Sequence, residues 1–346
     1  MRKLIKKILC ISLALLLMVG ALSGCGEKEA PATEPPAPTE PETEAKVLKV
    51  LTLGHSLSVD SNHMINLVAA TEGIGDYEEI FIGTLYYSGC RLSQHVNFLR
   101  GNLPEYRLYL SSTKTPDSPP ETMDNVTMLD ALKFEYWDII VMHGGSGENS
   151  VPANLKNGNI QTIQSYVNEH KHNPNAIFAW HMAWVTPESE ELLDMYPYEP
   201  NVHKENYLKY GNSRETYYNA VVSSAAECIV TDETFQFLIP TGTAMQNAWS
   251  SYMEEKDIHR DYGHATDMAR AMTSYVWYCK LMGIEKLEEI KLDAIPKAFL
   301  KSTEDKTQDR VLTQAEKAVM LESINNALAN PLQMTQSQYT TPPAEQ

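Results

Sequence analysis

The sequence predicts an α/β domain in which a mostly parallel, five-stranded sheet lies between two layers of helices. Three observations carry this. Five short runs rich in apolar and β-branched residues recur between residues 46 and 239. Stretches with helical spacing separate them, most about ten residues or longer, as right-handed crossovers between parallel strands require. No repeat, heptad run or composition break interrupts residues 46–330, so one domain accounts for the body of the chain.

Lys46–Gly54 is an almost continuous apolar run closed by Gly, the pattern of a strand buried on both faces. Further strands are predicted at Glu79–Tyr86, Trp137–His143, Ala176–Trp184 and Phe235–Ile239. Helical spacing marks Asn62–Glu72, Arg91–Arg100, Val126–Lys133, Ile160–His170, Lys204–Ala226, Thr241–Glu254, Ala265–Met282 and Thr313–Leu328. Tyr106–Thr122, with Pro116, Pro119 and Pro120, reads as an inserted hairpin or loop, and Thr186–Pro200 as a second insertion.

The ends of the chain differ from its body. Arg2, Lys3, Lys6 and Lys7 precede an apolar run over Ile8–Leu22, the plan of a secretory signal and short for a membrane span. It leads into Leu22-Ser23-Gly24-Cys25, which resembles a bacterial lipobox. That resemblance implies cleavage after residue 24 and a lipid on Cys25, anchoring the chain at the outer face of a bacterial cell membrane. Residues 25–46, rich in Pro, Glu and Thr, read as a disordered linker, and residues 331–346 as a disordered tail.

Asp and Glu outnumber Lys and Arg by 45 to 28, for a net charge of −17. Loss of the four basic and no acidic residues of 1–24 takes this to −21. Such a surface repels phosphate backbones, so nucleic acid is excluded as a partner, and a neutral or weakly charged substrate is favoured over a polyanion. Cys90, Cys228 and Cys279, which remain after Cys10 and Cys25 are set aside, lack disulfide or zinc spacing and read as small hydrophobes.

In an open parallel sheet, ligands bind beyond the carboxyl ends of the strands. After the first strand stands Gly54-His55-Ser56-Leu57-Ser58. Ser56 at this turn could present a nucleophilic hydroxyl beside backbone amides, although a Ser so placed is also a common helix cap. Asp261-Tyr262-Gly263-His264 precedes the helix at Ala265. A carboxylate three residues ahead of a His can fix one ring nitrogen and leave the other as a general base, although a surface loop pair has the same spacing.

Together, in this order, the two fragments resemble the SGNH, or GDSL-type, hydrolase superfamily. Gly54–Ser58 is similar to its first block and Asp261-x-x-His264 to its last. Tyr87-Ser88-Gly89 is similar to the second, and Trp137–Gly147 falls where the third belongs. With Ile239–Gln246, the pattern is most similar to a branch of secreted bacterial SGNH-like lipoproteins, spanning about residues 47–285. The resemblance implies a flavodoxin-like three-layer α/β/α fold and a serine esterase that needs no cofactor. Ser56 is then the nucleophile, His264 the base and Asp261 its orienting acid, with the amides of Ser56 and Gly89 receiving the oxyanion. His55 stands where the family has an acid. The third block lacks its usual Asn; Asn149, Ser146 or backbone amides of Gly144–Gly147 are the replacements available.

Ser146 is not a rival nucleophile, because Glu148 follows Gly147 and the Gly-x-Ser-x-Gly elbow is incomplete. Ser58 should point away and cap the helix. His143 and His181 close strands and could border the pocket along with Ser146, and no His spacing marks a metal site. Trp180, Trp184 and Tyr87 lie near strand ends, where aromatic faces suit either core packing or a sugar ring. The expectation is an extracytoplasmic, lipid-anchored esterase that removes O-acyl groups, acetyl first among them, from a small-molecule or glycan ester. The alternative is a non-catalytic glycan- or solute-binding lipoprotein on the same scaffold.

Overall fold

The computed structural model describes residues 46–145, 147–296, 299–301 and 307–342. The predicted signal, Cys25, the linker up to residue 45, Ser146 and residues 343–346 lie outside the described residues.

Seven strands form one sheet in the order β4-β3-β2-β1-β5-β6-β7. The parallel strands are β1 (Val47–Gly54), β2 (Glu79–Tyr86), β5 (Ile139–Met142), β6 (Ile177–His181) and β7 (Phe235–Ile239), as expected. The count of five is corrected by β3 (Tyr106–Ser112) and β4 (Glu121–Val126), which add an antiparallel hairpin at the β2 edge. In β3, Tyr106, Leu108 and Leu110 alternate inward. In β4 only Val126 is buried, and a polar edge strand has no apolar pattern to read.

The helices are α1 (Ser56–Asn62), α2 (Ile65–Glu72), α3 (Leu92–Gly101), α4 (Met128–Phe134), α5 (Asn159–His170), α6 (Val202–Lys209), α7 (Arg214–Cys228), α8 (Thr241–Trp249), α9 (Asp267–Met282) and α10 (Gln314–Ala329), with short turns of helix between some of them. Lys204–Ala226 is not one helix: Gly211 (φ 68°) and Asn212 (φ 56°) take left-handed backbone, and Ser213 caps a new start. The first helix begins at Ser56, directly after the strand, rather than at Asn62.

β1 sits mid-sheet and buries Val50, Leu51 and Leu53, as its apolar run requires. α9 buries Met272, Tyr275, Val276 and Trp277 against α1 and α2. Polar pairs fix that contact: Trp277 Nε1 donates to Ser61 Oγ (3.1 Å), and the Met64 amide donates to Ser274 Oγ (3.1 Å). Cys90 and Cys279 are buried and unbridged.

Residues 331–342 are not a free tail. Thr335 N donates to Asn247 Oδ1 (2.8 Å), Ser337 N to Ser250 Oγ (2.8 Å), and Tyr252 N to Tyr339 O (2.8 Å). Composition misleads here because backbone groups and short polar side chains, together with Leu332, Met334 and Tyr339 packed on the core, hold the segment along α8.

Candidate active site

Gly54 ends β1 and His55, extended at φ −141°, caps α1, so Ser56 is the first residue of the helix. A side chain at Gly54 would meet Ser58 Oγ at 2.2 Å, which explains the glycine. Ser58 itself is a correction: it is fully buried within α1, and the cap is His55. A first-turn amide has no acceptor within its own helix, and none is made by Ser56 N among the described residues.

β2 runs into the turn Tyr87-Ser88-Gly89-Cys90, closed by Cys90 N donating to Tyr87 O (3.2 Å). Gly89 has φ 59°, and its amide is likewise without an acceptor among the described residues. After β5, Glu148 Oε2 accepts from the amides of Gly145 (2.8 Å) and Leu92 (2.9 Å), pinning that loop to the start of α3. Gly144 O accepts from both His55 Nε2 (3.2 Å) and Asn149 Nδ2 (3.2 Å), so one Asn149 N–H is already committed.

The loop before α9 is the most tightly held. Asp261 Oδ1 accepts from the amides of Gly263 (3.0 Å) and His264 (2.9 Å), and the Asp261 carboxylate accepts from His264 Nδ1 at 2.9 and 3.0 Å. Burial alone would raise the Asp261 carboxyl. The hydrogen bond and charge of His264, with the two amides, outweigh it and hold the group well below the usual carboxylate range. With Nδ1 engaged, His264 Nε2 is the nitrogen left to exchange a proton. Trp184 Nε1 donates to Gly263 O (2.7 Å), and the His259–Ala265 bridge closes the loop's base.

Asp60, one turn beyond Ser56 on α1, joins this loop to the helix that begins at Ser56. It is 2% exposed and accepts from Ala265 N (2.9 Å), Arg270 Nε and Nη2 (2.9 and 2.7 Å) and Arg260 Nη1 and Nη2 (both 3.2 Å). Arg260 also approaches Asp261 (3.9 Å), and Arg270 pairs with Asp267 (2.9 Å). Charges therefore alternate from Asp261 through Arg260, Asp60 and Arg270 to Asp267.

Ser56, Gly89, Asn149 and His264 line one cavity of about 640 Å³. Among the described residues no hydrogen bond joins Ser56 to His264. Trp184, Tyr196, Tyr198 and Tyr262 form an aromatic wall beside His264, with Tyr262 and Tyr196 rings 4.8 Å apart. His203 joins that wall, and burial lowers its imidazole to about 4.

His143 and His181 are corrected: neither lines the cavity. Their rings continue a buried row from His55, at 4.3 and 4.7 Å. Burial pushes all three imidazoles down, His55 to about 4 and His181 to about 3, so the row is neutral at physiological pH. The inward side of β5 and β6 at their ends accounts for this; a strand's last residue reaches the cavity only if its side chain leaves the core. The spacing of Ser56 to Asp60 marks one helical turn and was the available signal for the Asp60 tie; in the aromatic wall only Trp184 carried a signal, its place near a strand end, and Arg91, Glu148, Arg260 and the wall's tyrosines had none. Among the described residues no group of three or more His, Cys, Asp or Glu could hold a metal ion.

A family model described as Domain of unknown function (DUF4886) matches residues 49–296. The structure is similar to that of a DUF4886 family protein from Bacteroides uniformis, with a TM-score of 0.65, 19% identity, and coverage of 86% of this chain and 100% of that one. It is more distantly similar to a candidate SGNH hydrolase from Slackia heliotrinireducens, with a TM-score of 0.41, 16% identity, and coverage of 67% and 98%. No curated protein matches.

Proposed function

This chain belongs to the DUF4886 family, and we propose that it is a serine ester hydrolase of the SGNH type. The observation that carries the reading is His264, bonded to Asp261 at 2.9 Å, on the same cavity as Ser56 at the start of α1. Ser56 Oγ attacks the ester carbonyl carbon while His264 Nε2 takes its proton. The carbonyl oxygen gains the negative charge and is received by the amides of Ser56 and Gly89. Collapse breaks the bond to the alcohol, which leaves with the proton from His264. Water, deprotonated by His264, then attacks the acyl carbon; the bond to Ser56 Oγ breaks, His264 returns the proton to Oγ, and the carboxylic acid leaves. Asp261 keeps the proton of Nδ1 in place throughout.

Asn149 is the third oxyanion donor in this reading, through the Nδ2 hydrogen not given to Gly144. The aromatic wall supports a sugar ring as the alcohol side of the ester, an acetylated glycan being the substrate class. The basic and apolar start and Leu22-Ser23-Gly24-Cys25 support an extracytoplasmic protein held at a bacterial membrane through lipidated Cys25. The test is hydrolysis of p-nitrophenyl acetate by the purified protein and by Ser56→Ala. Loss of activity in the variant is expected; equal rates would remove Ser56 as nucleophile.

A second reading, a non-catalytic glycan- or solute-binding protein, draws on the missing hydrogen bond between Ser56 and His264. A fluorophosphonate probe separates the two. Stoichiometric labelling that requires Ser56 favours the enzyme, and no labelling favours the binder.

A further inference from the structure

The chain carries 45 acidic residues among 346, so about three would be expected among the 26 residues that line the cavity. Among the described ones there is no carboxylate at all. Asp261 sits behind His264. Glu148, in the loop after β5, is 8% exposed and spends Oε2 on the amides of Leu92 and Gly145. The aromatic wall brings no charge, because burial keeps His203 neutral at physiological pH.

Arg91 is the one permanent cation among the described lining residues. No ion pair engages it; the described salt bridges join other residues throughout. Its stem is held in place: a side chain at Gly145 would stand 2.8 Å from Arg91 Cγ and 3.0 Å from its Cα, so the stem lies flat on the bare Gly145 backbone. Along the chain Arg91 follows Gly89 by two residues, a Cα separation of at most about 7 Å. The exposed Arg91 thus lines the cavity with Ser93 and Gln94, and its side chain starts within reach of the Gly89 amide where the ester carbonyl would sit.

We infer that the ester processed here carries one anionic group near its acyl linkage, and that Arg91 receives it. The inference rests on the hydrolase reading and narrows its substrate to an acidic sugar or a similar acid. Guanidinium is suited to a carboxylate, which it can bind through two parallel N–H bonds. An unpaired Arg in a wall free of acid neither repels such a group nor has to release a partner first. The rest of the acidic surface acts against substrates with long runs of negative charge, so the fit is to a single local anion.

The test compares two O3-acetylated methyl glycosides that differ only at C6, hydroxymethyl in one and carboxylate in the other. The full-length protein and Arg91→Gln are assayed for kcat/KM on both, with p-nitrophenyl acetate as the neutral reference. The expected result is a preference for the carboxylate of about ten- to a hundredfold, falling toward one in Arg91→Gln. Three outcomes would overturn it: a ratio at or below one, a ratio kept by the variant, as an equal loss on both glycosides would leave it, or turnover of p-nitrophenyl acetate with neither glycoside accepted. If p-nitrophenyl acetate is not hydrolysed and Ser56 takes no fluorophosphonate label, the hydrolase reading fails and the inference falls with it.

Discussion

Replacing Asp60 by Asn tests whether the buried tie between α1 and the His264 loop sets catalytic geometry. The shape is kept and the charge is lost. Asn Oδ1 can still accept from one donor group, but its Nδ2 must face a guanidinium or the Ala265 amide, both donors. Arg270 retains Asp267 at 2.9 Å, whereas Arg260 is left with Asp261 at 3.9 Å as its only other carboxylate partner. Removing one partner of a buried pair costs about 3–5 kcal/mol; the Arg side chains are 18% and 26% exposed, so the lower end, about 3 kcal/mol, applies. At roughly 2–4 °C per kcal/mol for a domain of this size, Tm should fall by about 6–12 °C. The activity effect is separate. Ala265, whose amide is the one held, adjoins His264, and a slip of about 1 Å in a catalytic group costs about a hundredfold. Assayed well below the lowered Tm, Asp60→Asn should lose about a hundredfold in kcat on p-nitrophenyl acetate with KM little changed. Arg270→Gln, which leaves Asp60 its bonds from Arg260 and Ala265, should lose far less. A variant that melts early yet keeps kcat within about twofold would refute the geometric argument, and an unmoved Tm would refute the energetic one.

Asp261→Asn should keep the loop, because Oδ1 can still accept the Gly263 and His264 amides, yet lower kcat by about a thousand- to ten-thousandfold by losing the carboxylate that orients Nδ1; an unchanged Tm and unchanged kcat would exclude Asp261 from the mechanism. Deleting residues 331–346 removes the bonds to Asn247, Ser250 and Tyr252 at about 1 kcal/mol each, together with bonds to Thr243 and Glu322 and the packing of Leu332, Met334 and Tyr339, so the urea midpoint should fall by the equivalent of at least about 3 kcal/mol; an unaltered midpoint would mean the segment is a passenger. Burial holds His55 at about 4 and His95, His181 and His259 at about 3, and His143 also well down. The unfolded chain therefore takes up protons first, near the ordinary value of about 6.5, and stability should fall between about pH 6.5 and pH 4 by up to about 1.4 kcal/mol per His per pH unit. Urea midpoints at pH 7.5, 5.5 and 4.5 read this directly, and a midpoint flat to pH 4.5 would contradict it.

What the sequence disclosed follows from which interactions are local. The five parallel strands were legible because each is buried on both faces and so reads as an apolar run. The strand-to-helix turn at Ser56 and the Asp261–His264 bond were legible because each is made within a few residues. β4 was not, since its exposed edge leaves a polar sequence, and residues 331–342 were not, since most of their anchors lie about 80 or more positions away in α8 and beyond. His143 and His181 were misplaced for a related reason: position at a strand end gives depth along the sheet but not the side to which the last residue turns.

The two walls of the cavity have different physical origins, and this bears on how the site works. One wall is built at the ends of β1, β2 and β5 and before α9, from amides and short side chains fixed by backbone bonds, the Glu148 anchor and the Asp60 tie. Its geometry is set by the sheet itself, which suits groups that must meet a transition state within a fraction of an ångström. The other wall comes from residues 183–203, the insertion after β6, and meets the first through aromatic rings and the single Trp184–Gly263 bond. Rings in edge contact tolerate small shifts that a hydrogen-bonded loop does not. In the proposed hydrolase, substrate shape would be read by the insertion and charge by Arg91, while Ser56 stays registered to β1. If the proposed hydrolase reading holds, changes in the insertion should act on KM and changes in the Asp60 network on kcat, because the second set ties the helix that begins at Ser56 to the His264 loop.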